Sequence, residues 1–165
     1  MTPEKVLFIC THNSARSQMA EGMLRAYGSG AFEAFSAGTH ATQVRPEAVA
    51  VMAEIGIDIG SQRSKNLGVY QGEQFEWVIT VCDQARPECP VFSGAEHTAH
   101  WDIDDPGEVE GDEPARMDAF RKARDELRNR IRMLMLTAGR EELGHPVAER
   151  IPEQHARFNT GLTSH

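Results

Sequence analysis

Along this chain, short unbroken apolar runs alternate with longer stretches in which apolar residues recur at helical spacing. Val6-Leu7-Phe8-Ile9 is such a run, the pattern of a strand buried on both faces. Residues 10–17 break it with small and polar side chains, and Met19, Met23, Leu24 and Tyr27 then mark one face of a helix that stops at Gly28. Phe32 to Ala37 reads as a second strand, closed by Gly38. Pro46 opens a helix through Val49, Met52, Ala53 and Ile55, ended by Gly56. Trp77 to Val81 predicts another buried strand, which delivers Cys82 at its C-terminal end. From Asp83 to Asp112, Pro87, Pro90, Gly94, Pro106, Gly107 and Gly111 predict loops, with one short strand around His97 to Trp101. Met117, Phe120, Ala123, Arg124, Leu127, Ile131 and Leu134 mark a long amphipathic helix.

Strands alternating with helices predict an α/β fold, a doubly wound parallel sheet of about four strands flanked by helices. The pattern fits one domain over residues 1–137. Gly144-His145-Pro146 breaks it, so residues 138–165 are expected to be a C-terminal extension or tail.

A length of 165 residues is enough to bury a core without disulfide staples. The net charge of -8 argues against a nucleic-acid surface and gives no reason to expect a membrane partner. It does not argue against a small anion, because a local nest of amides outweighs a distant global charge. No apolar stretch approaches the roughly 20 residues that span a bilayer. The first strand begins too early to leave room for a secretory signal, so a cytoplasmic location is expected. There the three cysteines, an odd number, do not suggest a structural disulfide framework.

Their local settings are more informative. In an open parallel sheet, ligands bind outside the carboxyl ends of the strands. Cys10 sits at such an end, immediately before a helix N-terminus, where the amides of residues 11–16 can converge on an anion with help from the helix dipole. Arg16 supplies a planar fork suited to a tetrahedral oxyanion. The same field favours thiolate over thiol at Cys10, and Ser17 can donate a hydrogen bond to it. Asn13 is a residue type that tolerates the left-handed conformation a tight loop demands. Cys-x5-Arg alone is a weak signal, but strand, Cys-x5-Arg-Ser and helix in succession is a strong one.

Cys10 to Gly22, CTHNSARSQMAEG, resembles the phosphate loop of low-molecular-weight protein tyrosine phosphatases and of the arsenate reductases built on them. The resemblance extends over residues 5 to 136. Gln18 follows Ser17, as in the reductases, where the phosphatases usually carry Pro. His12 and Ala15 replace the commoner Gly and Cys at positions that carry none of the chemistry. Thr11, His12, Asn13, Ser14, Ala15, Arg16 and Ser17 are the expected substrate-binding residues.

A second segment, VITVCDQARPECPVFSGAEHTAHWDIDDP from Val78 to Pro106, holds the other two cysteines. Cys82 and Cys89 lie on one loop, near where the sheet should place Cys10, as a second attacking thiol and a resolving thiol require. With Trp101 and Asp105-Pro106, this segment resembles that of thioredoxin-coupled arsenate reductases. The phosphatase loop usually reads Asp-Pro-Tyr and lacks the cysteine pair; Gly107 stands at the tyrosine position. Asp105 is the candidate general acid, since a leaving hydroxide or alkoxide must be protonated, and the match to the family's Asp-Pro favours it over Asp104. A Cys2His2 zinc site of Cys82, Cys89, His97 and His100 is an alternative. Its spacing is unlike a zinc knuckle, however, and it leaves Cys10 unexplained.

The resemblance implies a thiol relay on arsenate. Cys10 attacks arsenic, Arg16 holds the oxyanion and Asp105 protonates the departing oxygen. Cys82 then attacks Cys10, and Cys89 attacks Cys82, leaving a disulfide for thioredoxin to reduce. No cofactor is expected. Cys82 must reach two partners in turn, so the segment of residues 83–96 is expected to move. A phosphatase acting on phosphorylated residues, or a zinc or thiol sensor, remains as an alternative. The resemblance also implies a monovalent-cation site at Asn13, Glu21, Ser36 and an acidic side chain, but the fourth position here is Lys65, whose ammonium can take the place of the ion.

Overall fold

The computed structural model describes residues 2–82 and 92–142, with the backbone alone for 139–142. Cys89 and the extension beyond residue 142 therefore lie outside the described residues. The chain divides into two compact units, Met1–Ile131 and Arg132–His165. The first holds every strand among the described residues.

Four parallel strands form one sheet: β1 (Glu4–Cys10), β2 (Phe32–Gly38), β3 (Phe75–Thr80) and β4 (Ala95–His100), in the order β2-β1-β3-β4. α1 (Arg16–Gly28), α2 (Pro46–Ala53) and, as far as Ile131, α3 (Glu113–Glu142) flank it. A helix connects β1 to β2, because parallel neighbours need a crossover. β1 is buried from Val6 to Cys10, consistent with its central place. Leu7 and Ile9 pack with Tyr70, Phe75 and Val78, while Phe8, on the opposite face, lies 5.8 Å from the Trp101 ring.

The apolar pattern located the elements, and the structure adjusts their edges. β3 ends at Thr80, two residues before Cys82, although the Val81 N–H continues the ladder to the Ile9 carbonyl at 2.8 Å. Tyr27, at the last turn of α1, is exposed rather than buried with Met19, Met23 and Leu24. The buried face of α2 is Ala48, Val51 and Met52, and the helix stops at Ala53, before a turn closed by Gly56 at φ 78°. α3 runs beyond the predicted periodic stretch at both ends, and its buried residues Phe120, Ala123, Leu127 and Ile131 keep the expected helical spacing. Residues 67–70 form a short 3-10 turn over the Leu7–Ile9 face, which the sequence pattern did not suggest. No helix among the described residues is long and apolar enough to cross a membrane.

Candidate active site

The strand order decides where a ligand can enter. From β1 the chain crosses to β2 on one side, and it later returns to place β3 on the other. The crossovers therefore diverge between β1 and β3, and the crevice at a topological switch point lies beyond the carboxyl ends of those two strands. β1 ends there at Cys10. In the β1–β3 register Ile9 pairs with Thr80, so Val81 lies alongside Cys10 and Cys82 one position further on. Both thiols are buried, and the Cys82 thiol is 3.9 Å from the Ile9 carbonyl.

Residues 11–15 form the loop between β1 and α1. Its carbonyls are turned outward. Thr11 O accepts from the His40 N–H (2.8 Å), His12 O from Ser64 Oγ (2.9 Å), Ser14 O from the Arg45 N–H (2.9 Å) and Ala15 O from the Met19 N–H (2.8 Å). Asn13 O accepts from Gln18 Nε2 at 3.1 Å. In a trans peptide the carbonyl of one residue and the N–H of the next point in opposite directions. The amides of residues 12–16 are thereby aimed into the loop, forming a nest for an anion. The Asn13 N–H, one of these, donates to Cys10 Sγ at 3.2 Å. Asn13 makes the turn at φ 50°, a left-handed conformation asparagine tolerates. The N-terminus of α1 has no side-chain cap and no acidic residue in its first turn, so nothing in that turn opposes a bound anion.

The side chains of the loop are equally ordered. Ser17 Oγ lies 2.8 Å from Cys10 Sγ and accepts from Asn13 Nδ2 at 2.7 Å. Arg16 is buried. It donates to the Ile103 carbonyl (3.0 Å) and faces Asp105 Oδ2 at 3.4 Å, which leaves the rest of its five N–H groups for an oxyanion. Asp105 in turn accepts from the Gly107 N–H at 2.9 Å. Thr11, Ser14 and Ala15 contribute backbone, and the side chain of His12 is exposed. Asn13, Arg16, Ser17, Gln18, Glu21 and Ser36 account for nearly all the buried polar residues described. Buried polar groups that partner one another around a thiol mark a site rather than a core.

Of the residues singled out from sequence, Cys10, Arg16, Ser17, Asn13, Cys82 and Asp105 come together at this edge. His97 instead stacks on Trp77 at 4.7 Å, and His100 Nδ1 lies 2.7 Å from Thr80 Oγ1, both on the edge strand β4. Glu21 Oε1 accepts from Ser36 Oγ at 2.5 Å and lies 3.6 Å from Lys65 Nζ, while the Lys65 N–H donates to Asn13 Oδ1 at 2.8 Å. Sequence reasoning missed Gln62, which bonds Gln18, because a glutamine in a polar loop carries no signal. It also read Gly38 only as the end of a strand. A Cβ there would meet the Thr11 carbonyl at 2.6 Å.

A parallel sheet with a Cys-x5-Arg loop at its switch point defines a class of cysteine-based oxyanion enzymes. The chain belongs to the low molecular weight phosphotyrosine protein phosphatase family, which it matches over residues 5–148. It is 39% identical over 132 residues to the arsenate reductase of Halalkalibacterium halodurans, covering 80% of this chain and 95% of that one. Among solved structures it resembles an arsenate reductase in the phosphate binding state, at 32% identity and a TM-score of 0.70, over 81% and 97% of the two chains. It also resembles a thioredoxin-dependent arsenate reductase from Corynebacterium glutamicum at 30% identity and a TM-score of 0.59, over 80% of this chain and 60% of that one.

Proposed function

We propose that this protein is an arsenate reductase that works by a relay of three thiols and is recycled by thioredoxin. One observation carries the reading: Cys82, a buried thiol, lies one position beyond the partner of Cys10 at the switch point of the sheet. A phosphatase needs Cys10, Arg16 and Asp105 but has no use for that second thiol. The relatives named arsenate reductase, at up to 39% identity, and the thioredoxin-dependent structural neighbour support it.

In this mechanism arsenate sits in the nest of residues 11–17 against Arg16. The Cys10 thiolate forms a sulfur–arsenic bond, and an arsenate oxygen leaves as water after Asp105 protonates it. The Cys82 thiolate then attacks the Cys10 sulfur. A disulfide forms, the sulfur–arsenic bond breaks, and its electron pair stays on arsenic, reducing arsenic(V) to arsenic(III). Cys89 attacks Cys82 next, which frees the Cys10 thiolate. The remaining Cys82–Cys89 disulfide takes two electrons and two protons from the dithiol of thioredoxin. Thiols kept reduced between turnovers fit a cytoplasmic location.

The test is arsenate-dependent NADPH consumption with thioredoxin and thioredoxin reductase. Turnover is expected for the wild type, and none for Cys10→Ser or Arg16→Ala. Hydrolysis of aryl phosphate without arsenate turnover would replace this reading with the phosphatase one.

A further inference from the structure

Beyond the nucleophile, a line of amides, Asn13 and Gln18 buried and Gln62 half-buried, leads away from Cys10 to the surface. Arg25 Nη1 donates to Gln62 Oε1 at 3.1 Å, and Gln62 Nε2 donates to Gln18 Oε1 at 2.8 Å. Gln18 Nε2 donates to Asn13 Oδ1 at 2.8 Å, and Asn13 Nδ2 to Ser17 Oγ at 2.7 Å. Ser17 Oγ is 2.8 Å from Cys10 Sγ. An amide can be turned end for end, so each direction must be read from neighbours whose own polarity is fixed. Every amide in this line has such neighbours. Gln62 Nε2 also reaches the Gln18 carbonyl at 3.0 Å, so that end carries the N–H groups. The Gln18 NH2 faces two carbonyls, Asn13 at 3.1 Å and Arg63 at 2.8 Å. Asn13 Oδ1 faces the Lys65 N–H at 2.8 Å, which can only donate. Arg25, a guanidinium, has donors alone.

With each amide held this way, the Ser17 oxygen is occupied as an acceptor by Asn13. Its own hydrogen is then available to Cys10, whose thiolate can only accept. We propose that Gln18 and Gln62, anchored by Arg25, are positioning residues that fix the direction of this hydrogen-bond chain so that Ser17 donates to the Cys10 thiolate. Donors arranged head to tail polarise one another, which strengthens the last bond, the one that reaches sulfur. Gln18 has a second hold on the loop. One NH2 group binds both the side chain and the backbone carbonyl of Asn13, the residue that makes the left-handed turn, and ties it to the segment at Arg63. The inference deepens the reading of Cys10 as nucleophile and rests on it, but it requires neither arsenate nor the other two cysteines.

The test is the pH dependence of Cys10 alkylation by iodoacetamide in the Cys82→Ser/Cys89→Ser protein, which retains one thiol. Ser17→Ala is expected to move the midpoint of the profile up by about one pH unit, the size of a hydrogen bond to a charged group. Gln18→Met and Gln62→Met, similar in length and without polar atoms, should each move it up by about 0.3 to 0.7 unit, because Lys65 still holds Asn13. In the Ser17→Ala protein each should move it by clearly less, since the side-chain line reaches sulfur through that hydroxyl and only the Asn13 N–H, 3.2 Å from Cys10 Sγ, still links Gln18 to it. If Gln18→Met does not fold, Gln62→Met, in a half-buried loop position, carries the test alone. A lower melting temperature with an unmoved midpoint would mean a purely structural role and overturn the proposal. So would an undiminished shift in the Ser17→Ala background. Absence of arsenate turnover in the protein with all three cysteines, with this alkylation pattern intact, would count against the reductase reading and leave the chain standing.

Discussion

Replacing Gly38 with alanine should damage the oxyanion loop although the substitution lies on a different strand. An added Cβ would sit 2.6 Å from the Thr11 carbonyl oxygen, 2.8 Å from the Asn13 nitrogen and 3.0 Å from the His12 carbonyl carbon. All three are backbone atoms, so no side chain can swing aside. Ordinary contact begins at 3.4 Å, so loop and strand must separate by roughly 0.8 Å. β2 cannot supply that movement easily. It is paired with β1 along its whole length, ending with Gly38 opposite Cys10, and the Gly38 N–H is bound to the Lys65 carbonyl at 2.9 Å. The loop must move instead, taking with it the amides that converge on the anion. A misplacement of about 1 Å in a positioned site costs on the order of 100-fold, so kcat/KM for arsenate should fall about 10- to 100-fold. Overpacking of this kind destabilises by about 1–3 kcal/mol, with roughly 2–4 °C of melting temperature for each kcal/mol in a chain of this size. The thioredoxin-coupled assay reads the first effect and thermal unfolding followed by circular dichroism the second. A Gly38→Ala protein with wild-type kcat/KM and wild-type melting temperature would refute the close approach on which the argument depends.

The order of the relay follows from the same edge of the sheet. Cys89→Ser should release a single equivalent of arsenite and stall as a Cys10–Cys82 disulfide, whereas Cys82→Ser should release little; a Cys10–Cys89 bridge with full release in the latter, seen by peptide mass mapping, would reverse the order. Lys65 places an ammonium 3.6 Å from Glu21, so potassium in place of sodium at equal ionic strength should leave the melting temperature unchanged, and a large rise would show that an ion binds there. Hydrogen bonds from Arg121 and then Arg124 hold the Glu54 carboxyl down at about 2, from an ordinary value of 4.5, and tie the end of α2 to α3. A depressed carboxyl stabilises the fold above its unfolded value and loses that contribution as pH falls toward the folded one. Glu54→Gln should therefore melt below wild type at neutral pH, with the gap closing between pH 4.5 and about 2; a gap that does not change with pH would exclude the ion pairs as its cause.

The strands were legible because a buried parallel strand has to be apolar on both faces, and Val6 to Ile9 and Trp77 to Val81 are. Cys10, Arg16 and Ser17 were legible because a strand end, a fixed spacing and a helix start are local facts, settled within eight residues. That Cys82 lies near Cys10 was an inference from topology; the register of β1 against β3 sets Val81 alongside Cys10 and Cys82 one position further on. Arg16 was expected to face an anion; that it is also held by the Ile103 carbonyl, 87 positions away, no local pattern could indicate. The same holds for Gly38 against Thr11 and for Gln62 against Gln18. Periodicity records which face of an element avoids water, and so the sequence by itself determined the elements and the class of fold, while the local spacing singled out Cys10. Hydrogen bonds between distant segments depend on direction and on distances of a few tenths of an ångström. Those the tertiary structure alone decided, by bringing β2, the loop of residues 62–65 and the loop of residues 103–107 up against residues 11–18.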